Sequence, residues 1–169
     1  MKRVVVLVEG QTEEALVDEV LAPAALARGV HLAPVIVITS ATPAGARRGG
    51  GSWRHYDMRL HKQYPDSRFR PLVGLHEIEA LVLAAIDAGR GEGLIPARGL
   101  TRLRREIARA GGPERIDHGP STAPSKRLLR ADPGYLKTVT GPLLVAEAGL
   151  SAVLARCPTF AAWWEDLLS

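Results

Sequence analysis

The sequence has a single cysteine, Cys157, among 169 residues. An internal disulfide needs two and a cysteine-based zinc ribbon needs several, so both are excluded, and one thiol fits a reducing compartment. Cys157 reads as a small buried apolar residue. Aromatic residues are scarce too, with three Trp, three Tyr and two Phe. A protein that holds nucleic acid by stacking bases on aromatic platforms needs more rings than this. Long hydrophobic runs are missing as well. No uninterrupted apolar stretch reaches the ~18 residues of a membrane-crossing helix, since the uncharged stretch from Gly29 to Ala46 is broken by His31, Pro34, Thr39, Ser40, Thr42 and Pro43. Met1-Lys2-Arg3, five apolar residues and Glu9 make too short a start for a signal segment. These absences point to the cytoplasm and to no membrane partner.

What remains is the composition of a globular protein, 46% apolar and 24% charged, which argues against disordered, collagen-like and coiled-coil classes. A chain of this length reads as one domain over 1–169 with an aliphatic core. The net charge is +4 and the isoelectric point about 9.6, compatible with a polyanionic partner. A GC-rich genome would also raise the arginine count, so position carries more information than the total. The cations concentrate at Arg47-Arg48, from Arg98 to Arg109 and from Lys126 to Arg130. The acids gather from Glu9 to Glu19 and at Glu77 and Glu79.

Arg3 to Val8 is a β-branched run ending at Glu9-Gly10, and Thr12 to Ala27 follows with helical spacing through Ala15, Leu16, Val20 and Leu21. Thr12 suits the N-cap, Glu13 and Glu14 suit the positive end of the helix, and Gly29 suits the stop. Val35 to Thr39 reads as a second buried strand, so the start is a βαβ unit with a right-handed crossover by default. The fold class is therefore α/β: a small parallel sheet flanked by helices over about 1–90, with a helical part over about 97–169. Ala41 to Ser52 is a glycine-rich loop carrying Arg47 and Arg48; it lacks the GxxxxGK[ST] phosphate loop. Trp53 to Gln63 suits a short helix, and Arg68 to Leu75 suits an edge strand with Pro71 near its start. His76 to Ala88 has an apolar stripe of Ile78, Leu81, Val82 and Ala85, and glycines at 89, 91 and 93 end it. Leu100 to Ala110 is a cationic amphipathic helix. Ser125 suits the N-cap of the next helix, and Pro142 to Leu168 reads as two or three short helices. Trp163-Trp164 reads as one core and one rim residue.

Three places could carry chemistry. Open α/β sheets bind ligands at the carboxyl ends of their strands, which puts Glu9 on that crevice and Glu13 one helical turn away. Two such carboxylates suit a hard divalent cation such as Mg²⁺ or Mn²⁺; Glu13 equally suits a solvated first-turn acid. Leu75-His76-Glu77-Ile78-Glu79 stands at a similar strand-to-helix junction. It is not the zinc-protease HExxH motif, because position 80 is alanine. Its acids read either as dipole partners or as ligands and general bases. At Pro124-Ser125-Lys126-Arg127, a helix start with a hydroxyl and two cations could hold phosphate. The alternative there is an ordinary capped helix. His55 and His61 do not share a helix face and are not paired ligands.

The strings VVVLVEGQTEEALVDEVLAP, LHEIEALVLA and GPSTAPSKRLL, with a weaker GPLLVAEAGLSAVLARCPTFAAWW, resemble the bacterial domain of unknown function family 4276, whose members are regarded as Toprim-like. The resemblance implies a relative of the catalytic module of topoisomerases, primases and overcoming-lysogenization-defect nucleases, often encoded beside an ABC-type or AAA-type ATPase and tied to phage defence. By position, Glu9 matches the first Toprim glutamate and Glu13 its helix partner. His76, Glu77 and Glu79 match an HExE-like turn, and Ser125-Lys126 a late phosphate-site motif. The implied activity is magnesium- or manganese-dependent cleavage of nucleic acid phosphodiesters. In it Glu9, Glu13, Glu77 and Glu79 are metal ligands and catalytic acids, Lys126 offsets developing charge, and Arg47, Arg48, Ser125, Lys126 and Arg127 bind phosphate. Relatives carry an Asp-Tyr-Tyr-like strand end before the LHExE string. Here only Trp53 to Gly74 fills that interval, which reads as an internal deletion, with Asp57 in a helical stretch and Asp66 in a turn. The rival expectation is a catalytically degenerate subunit that binds nucleic acid or an ATPase. Oligomeric state stays open, self-association included.

Overall fold

The computed structural model describes residues 1–8, 10–36, 66, 69, 70, 72, 78–116 and 119–169. Strand β1 (Lys2–Val8) pairs in parallel with β2 (Val30–Ile36), in register from Lys2 opposite Val30 to Val8 opposite Ile36. The connection is α1 (Gln11–Leu16), a π-helical turn (Val17–Leu21) and α2 (Ala22–Leu26). Pro23 explains the wide turn before it, because it has no N–H to offer the preceding turn. Leu16, Val17, Val20, Leu21 and Ala25 are buried and join Val8, Val30 and Leu32 in the core. The class is mixed α/β with a parallel pair, as the sequence implies.

Two boundaries differ from expectation. The second strand begins at Val30 instead of Val35, so His31 and Pro34, both poor strand signals, lie inside it. Pairing with β1 along seven positions overrides local propensity there. Val35 and Ile36 are exposed instead of buried, as are Val5 and Leu7 of β1. Val4, Val6 and Val8 are the more enclosed residues of β1, so the strand alternates as a half-buried strand does. The helix start is also corrected. Gly10, with extended backbone, occupies the N-cap, while Thr12 is buried within the first turn and makes no cap.

Helix α3 (Glu79–Asp87) is enclosed on all sides, with Leu83, Ala84, Ala85 and Ile86 at 0% exposure. The sequence suggested one apolar stripe; a helix apolar all round belongs in an interior. Around it pack α4 (Ala97–Ala110), a 3₁₀ turn (Pro113–Arg115), α5 (Pro124–Ala131), α6 (Thr140–Ala148) and α7 (Leu150–Leu154). Helix α4 buries Leu100, Leu103 and Ile107 at helical spacing and ends at Gly111, whose left-handed φ of 79° is the glycine C-cap geometry. Helix α8 (Pro158–Leu168) closes the chain, and Glu114 caps it: the Thr159 and Phe160 amides each donate to its carboxylate at 2.9 Å. These are first-turn donors that would otherwise lack a partner, and the negative charge suits the helix dipole. Trp164 is buried, while half-buried Trp163 stacks on Phe160 at 5.5 Å and donates to the Arg70 carbonyl. The core-and-rim reading of this pair holds. The helices expected after Pro142 are α6, α7 and α8. Among the described residues no helix is long and apolar enough to cross a membrane.

Cys157 is fully buried between α7 and α8. Burial first, then the Glu114 carboxylate, pushes its thiol pKa up to about 12 from 9.0. The folded state therefore keeps its proton where the unfolded chain has lost it. This contribution to stability is intact below pH 9 and declines between pH 9 and 12, by up to about 1.4 kcal/mol per pH unit. Urea melts of the wild type and Cys157→Ala, run at pH 8 and 10, should show a steeper loss for the wild type. Equal losses would contradict the assignment.

Candidate functional site

Strand β1 ends at Val8, and Gly10 starts α1, where the Glu14 amide donates to its carbonyl at 3.1 Å. A carboxylate oxygen of Glu13 lies 3.4 Å from where a Cβ on Gly10 would stand. The half-buried Glu13 side chain therefore folds back over the turn that leaves the strand, at the edge where open α/β sheets take ligands. Glu9 itself lies outside the described residues, as do His76, Glu77, Arg47 and Arg48.

Glu79 does not face an open crevice. It has 0% exposure, and Lys137 Nζ stands 3.1 Å from its Oε1. Its expected role as a ligand beside Glu13 is thus corrected: the carboxylate is turned into the helical core and engaged by an ammonium. The physical reason is that α3 is enclosed on every side, so an acid in its first turn is carried inward with the rest. Among the described residues, no group of three or more His, Cys, Asp or Glu is placed to hold a metal ion.

At the third place, Pro124 is the first residue of α5 and Ala123 its N-cap, with no side-chain cap. Ser125 is therefore inside the helix, not its cap. Lys126 is exposed and Ser125 half-buried. Arg127 is tied inward: its Nε donates to the Thr122 carbonyl at 2.6 Å, and Nη1 meets Glu106 Oε2 at 2.6 Å. Arginine's planar fork suits this double engagement, which fastens α5 to α4. As a free phosphate ligand Arg127 is corrected; Lys126 keeps an ammonium turned to solvent. The glycine-rich loop, the 53–63 helix, Asp57 and both of His55 and His61 lie outside the described residues, as does the rest of the 53–74 interval apart from Asp66, Phe69, Arg70 and Leu72. Asp66 is exposed, with its carbonyl accepting from the Phe69 amide at 2.9 Å.

The sequence reading did not select the arginines of α4 as site residues. Arg98, Arg102 and Arg105 are exposed and, with Arg130 of α5, line one groove. Their spacing of four and then three residues was the available signal, since such positions share a helix face.

The model of a domain of unknown function, DUF4276, matches residues 51–168, more than two-thirds of the chain. The chain belongs to this family. The matched stretch holds Glu77, Glu79, Ser125, Lys126, Arg127 and the arginine groove, and begins after β1, α1 and β2. For this DUF4276 protein, no curated protein and no solved structure gives a match.

Proposed function

We propose that the protein is a Toprim-like, metal-dependent nuclease acting on nucleic acid phosphodiesters. The observation that carries the reading is the parallel β1–α1–β2 unit in which the Glu13 carboxylate folds over Gly10, directly after Glu9 in the chain. Hard oxygen donors at a strand end suit Mg²⁺ or Mn²⁺, which take few protein carboxylates and leave room for water and phosphate. Glu9 and Glu13, with Glu77, would hold the ion; Glu79, held by Lys137, does not fit that set. Bound there, the metal would supply polarisation of the phosphate and a water of lowered pKa. Glu13 contributes a carboxylate already turned toward the strand end, and Lys126 an exposed cation to offset charge on a bound phosphate. A place beside an ATPase in phage defence belongs to the same proposal.

Purified protein should nick supercoiled DNA or structured RNA with Mg²⁺ or Mn²⁺ and stop on addition of a chelator. Glu9→Gln and Glu13→Gln should each reduce the rate by about a hundredfold or more, with unchanged circular dichroism. Wild-type rates in both variants would remove the metal assignment. A second reading, a non-catalytic subunit that binds nucleic acid or an ATPase, is favoured by the Glu79–Lys137 pair, which withdraws one expected acid from the site. It calls for no cleavage with either metal but nucleic acid binding that weakens with salt.

A further inference from the structure

Helices α4 and α5 cross at close range. A Cβ on Gly99 would stand 2.5 Å from the carbonyl oxygen of Ala131, so only glycine permits this approach. Leu100, Leu103 and Ile107 point into the core, which leaves the opposite face of α4 to its arginines. The two helices bound a groove of about 520 Å³ lined by Pro96, Thr101, Arg98, Arg102, Arg105 and Arg130, together with the crossing point itself. No acidic residue lines it. The Arg102 guanidinium donates to the Arg130 carbonyl, which fixes the two sides to each other. Among the described residues, none of these four arginines has a carboxylate within ion-pair distance. Arg130 Nε also reaches the Lys126 carbonyl at 3.4 Å, so both Arg102 and Arg130 donate to backbone oxygens but to no acid, whereas Arg127 of α5 is paired with Glu106.

We infer that this groove binds the sugar–phosphate backbone of nucleic acid. Four guanidinium groups with no acid among them are costly through mutual repulsion unless an anion sits between them. Arg98 and Arg105 are seven residues apart, about 10.5 Å along the helix axis, and exposed Arg109 continues the row to about 16 Å. A small anion would occupy one end of such a row, whereas a phosphate polymer matches its length. Guanidinium forks also suit the paired oxygens of phosphodiesters better than ammonium groups do. With few aromatic side chains in the protein, binding through backbone charge instead of base stacking follows, and with it little sequence preference. The inference rests on the nucleic acid reading above and gives it a surface distinct from the strand end.

The test is fluorescence anisotropy with a 20-base-pair DNA duplex and a 20-nucleotide RNA, in EDTA so that metal plays no part, over 50–300 mM KCl. The Arg98→Gln/Arg105→Gln double variant should bind about tenfold or more weakly, and its salt slope should be shallower by about two. Both positions are exposed, so folding is expected to persist and is checked by circular dichroism. The Arg3→Gln/Arg28→Gln control, equal in charge and carried by β1 and the turn before β2 instead of the groove lining, should bind like the wild type. Equal losses in the two double variants would overturn the groove and leave only diffuse charge. So would poly-glutamate that displaces the nucleic acid at matched charge and salt. Failure here is separable from failure of the nuclease reading. If the groove is wrong and cleavage is real, Arg98→Gln/Arg105→Gln cuts normally with Mg²⁺. If cleavage is absent and the groove is right, the binding loss in EDTA remains.

Discussion

Leu83→Ala is expected to cost about 2–5 kcal/mol of folding stability, measured by urea denaturation at pH 7. Leu83 is at 0% exposure in the middle of α3, and α4, α5, α6, α7 and the 3₁₀ turn all pack around that helix. Truncation removes the transfer free energy of three carbon atoms and leaves a hole that rigid neighbours on every side cannot fill. Ala84 and Ala85 beside it have no longer side chains to swing inward. The urea slope should stay constant, since the surface exposed on unfolding barely changes. Leu129→Ala on α5, 43% exposed in the folded protein, should by comparison move stability by only about 0.5 kcal/mol. A Leu83→Ala loss below about 1 kcal/mol would mean that α3 is not the centre of the packing.

Replacing Lys137 with methionine should cost about 3 kcal/mol, because it leaves the fully buried Glu79 carboxylate without the ammonium 3.1 Å away. The lysine's methylene stem is largely reproduced by methionine, so lost packing is a minor part of the effect. Lys137 is itself 46% exposed, and water reaching its end of the pair keeps the loss at the lower end of the range for buried pairs. Adding Glu79→Gln to Lys137→Met should restore much of the stability, since the amide carries no charge to strand in the interior. If the double variant is no more stable than Lys137→Met alone, the loss did not come from taking the ammonium away from the buried Glu79 charge.

Where the sequence was readable, one element explained itself. Arg3 to Val8 is a strand by composition, and Leu100, Leu103 and Ile107 announce α4 by spacing, with Gly111 as its stop. Gly10 and the glycine after α2 mark turns for the same local reason. Long-range partners blurred the rest. Pairing with β1 drew His31 and Pro34 into β2, and the enclosure of α3 hid that its acid would be interior. Glu79 looked like a rim carboxylate because it follows His76-Glu77 in a short string. Its partner, Lys137, lies in the connection between α5 and α6 and is invisible to any spacing rule. Ser125 and Thr12 were natural caps by residue type, yet Ala123 and Gly10 hold those positions. Arg127 resembled a ligand until Glu106, on another helix, was seen to hold it. The arginine row on α4 was legible as charge, but its groove exists only because Gly99 lets α5 approach.

The attachment of α8 to the sheet sets an order in time. Lys2 Nζ donates to the Leu167 carbonyl across 165 positions, and Arg28 forms two hydrogen bonds with Glu165 across 137. During synthesis α3 to α7 can collect around their neighbours as they emerge, but the start of β1 and the turn after α2 gain these contacts only once α8 is made. Closing so long a loop adds little to the equilibrium cost, because the entropy grows only logarithmically with length. It acts on rate instead, since contacts distant in sequence form slowly. Until α8 docks, the first residues of β1 are held by β2 alone.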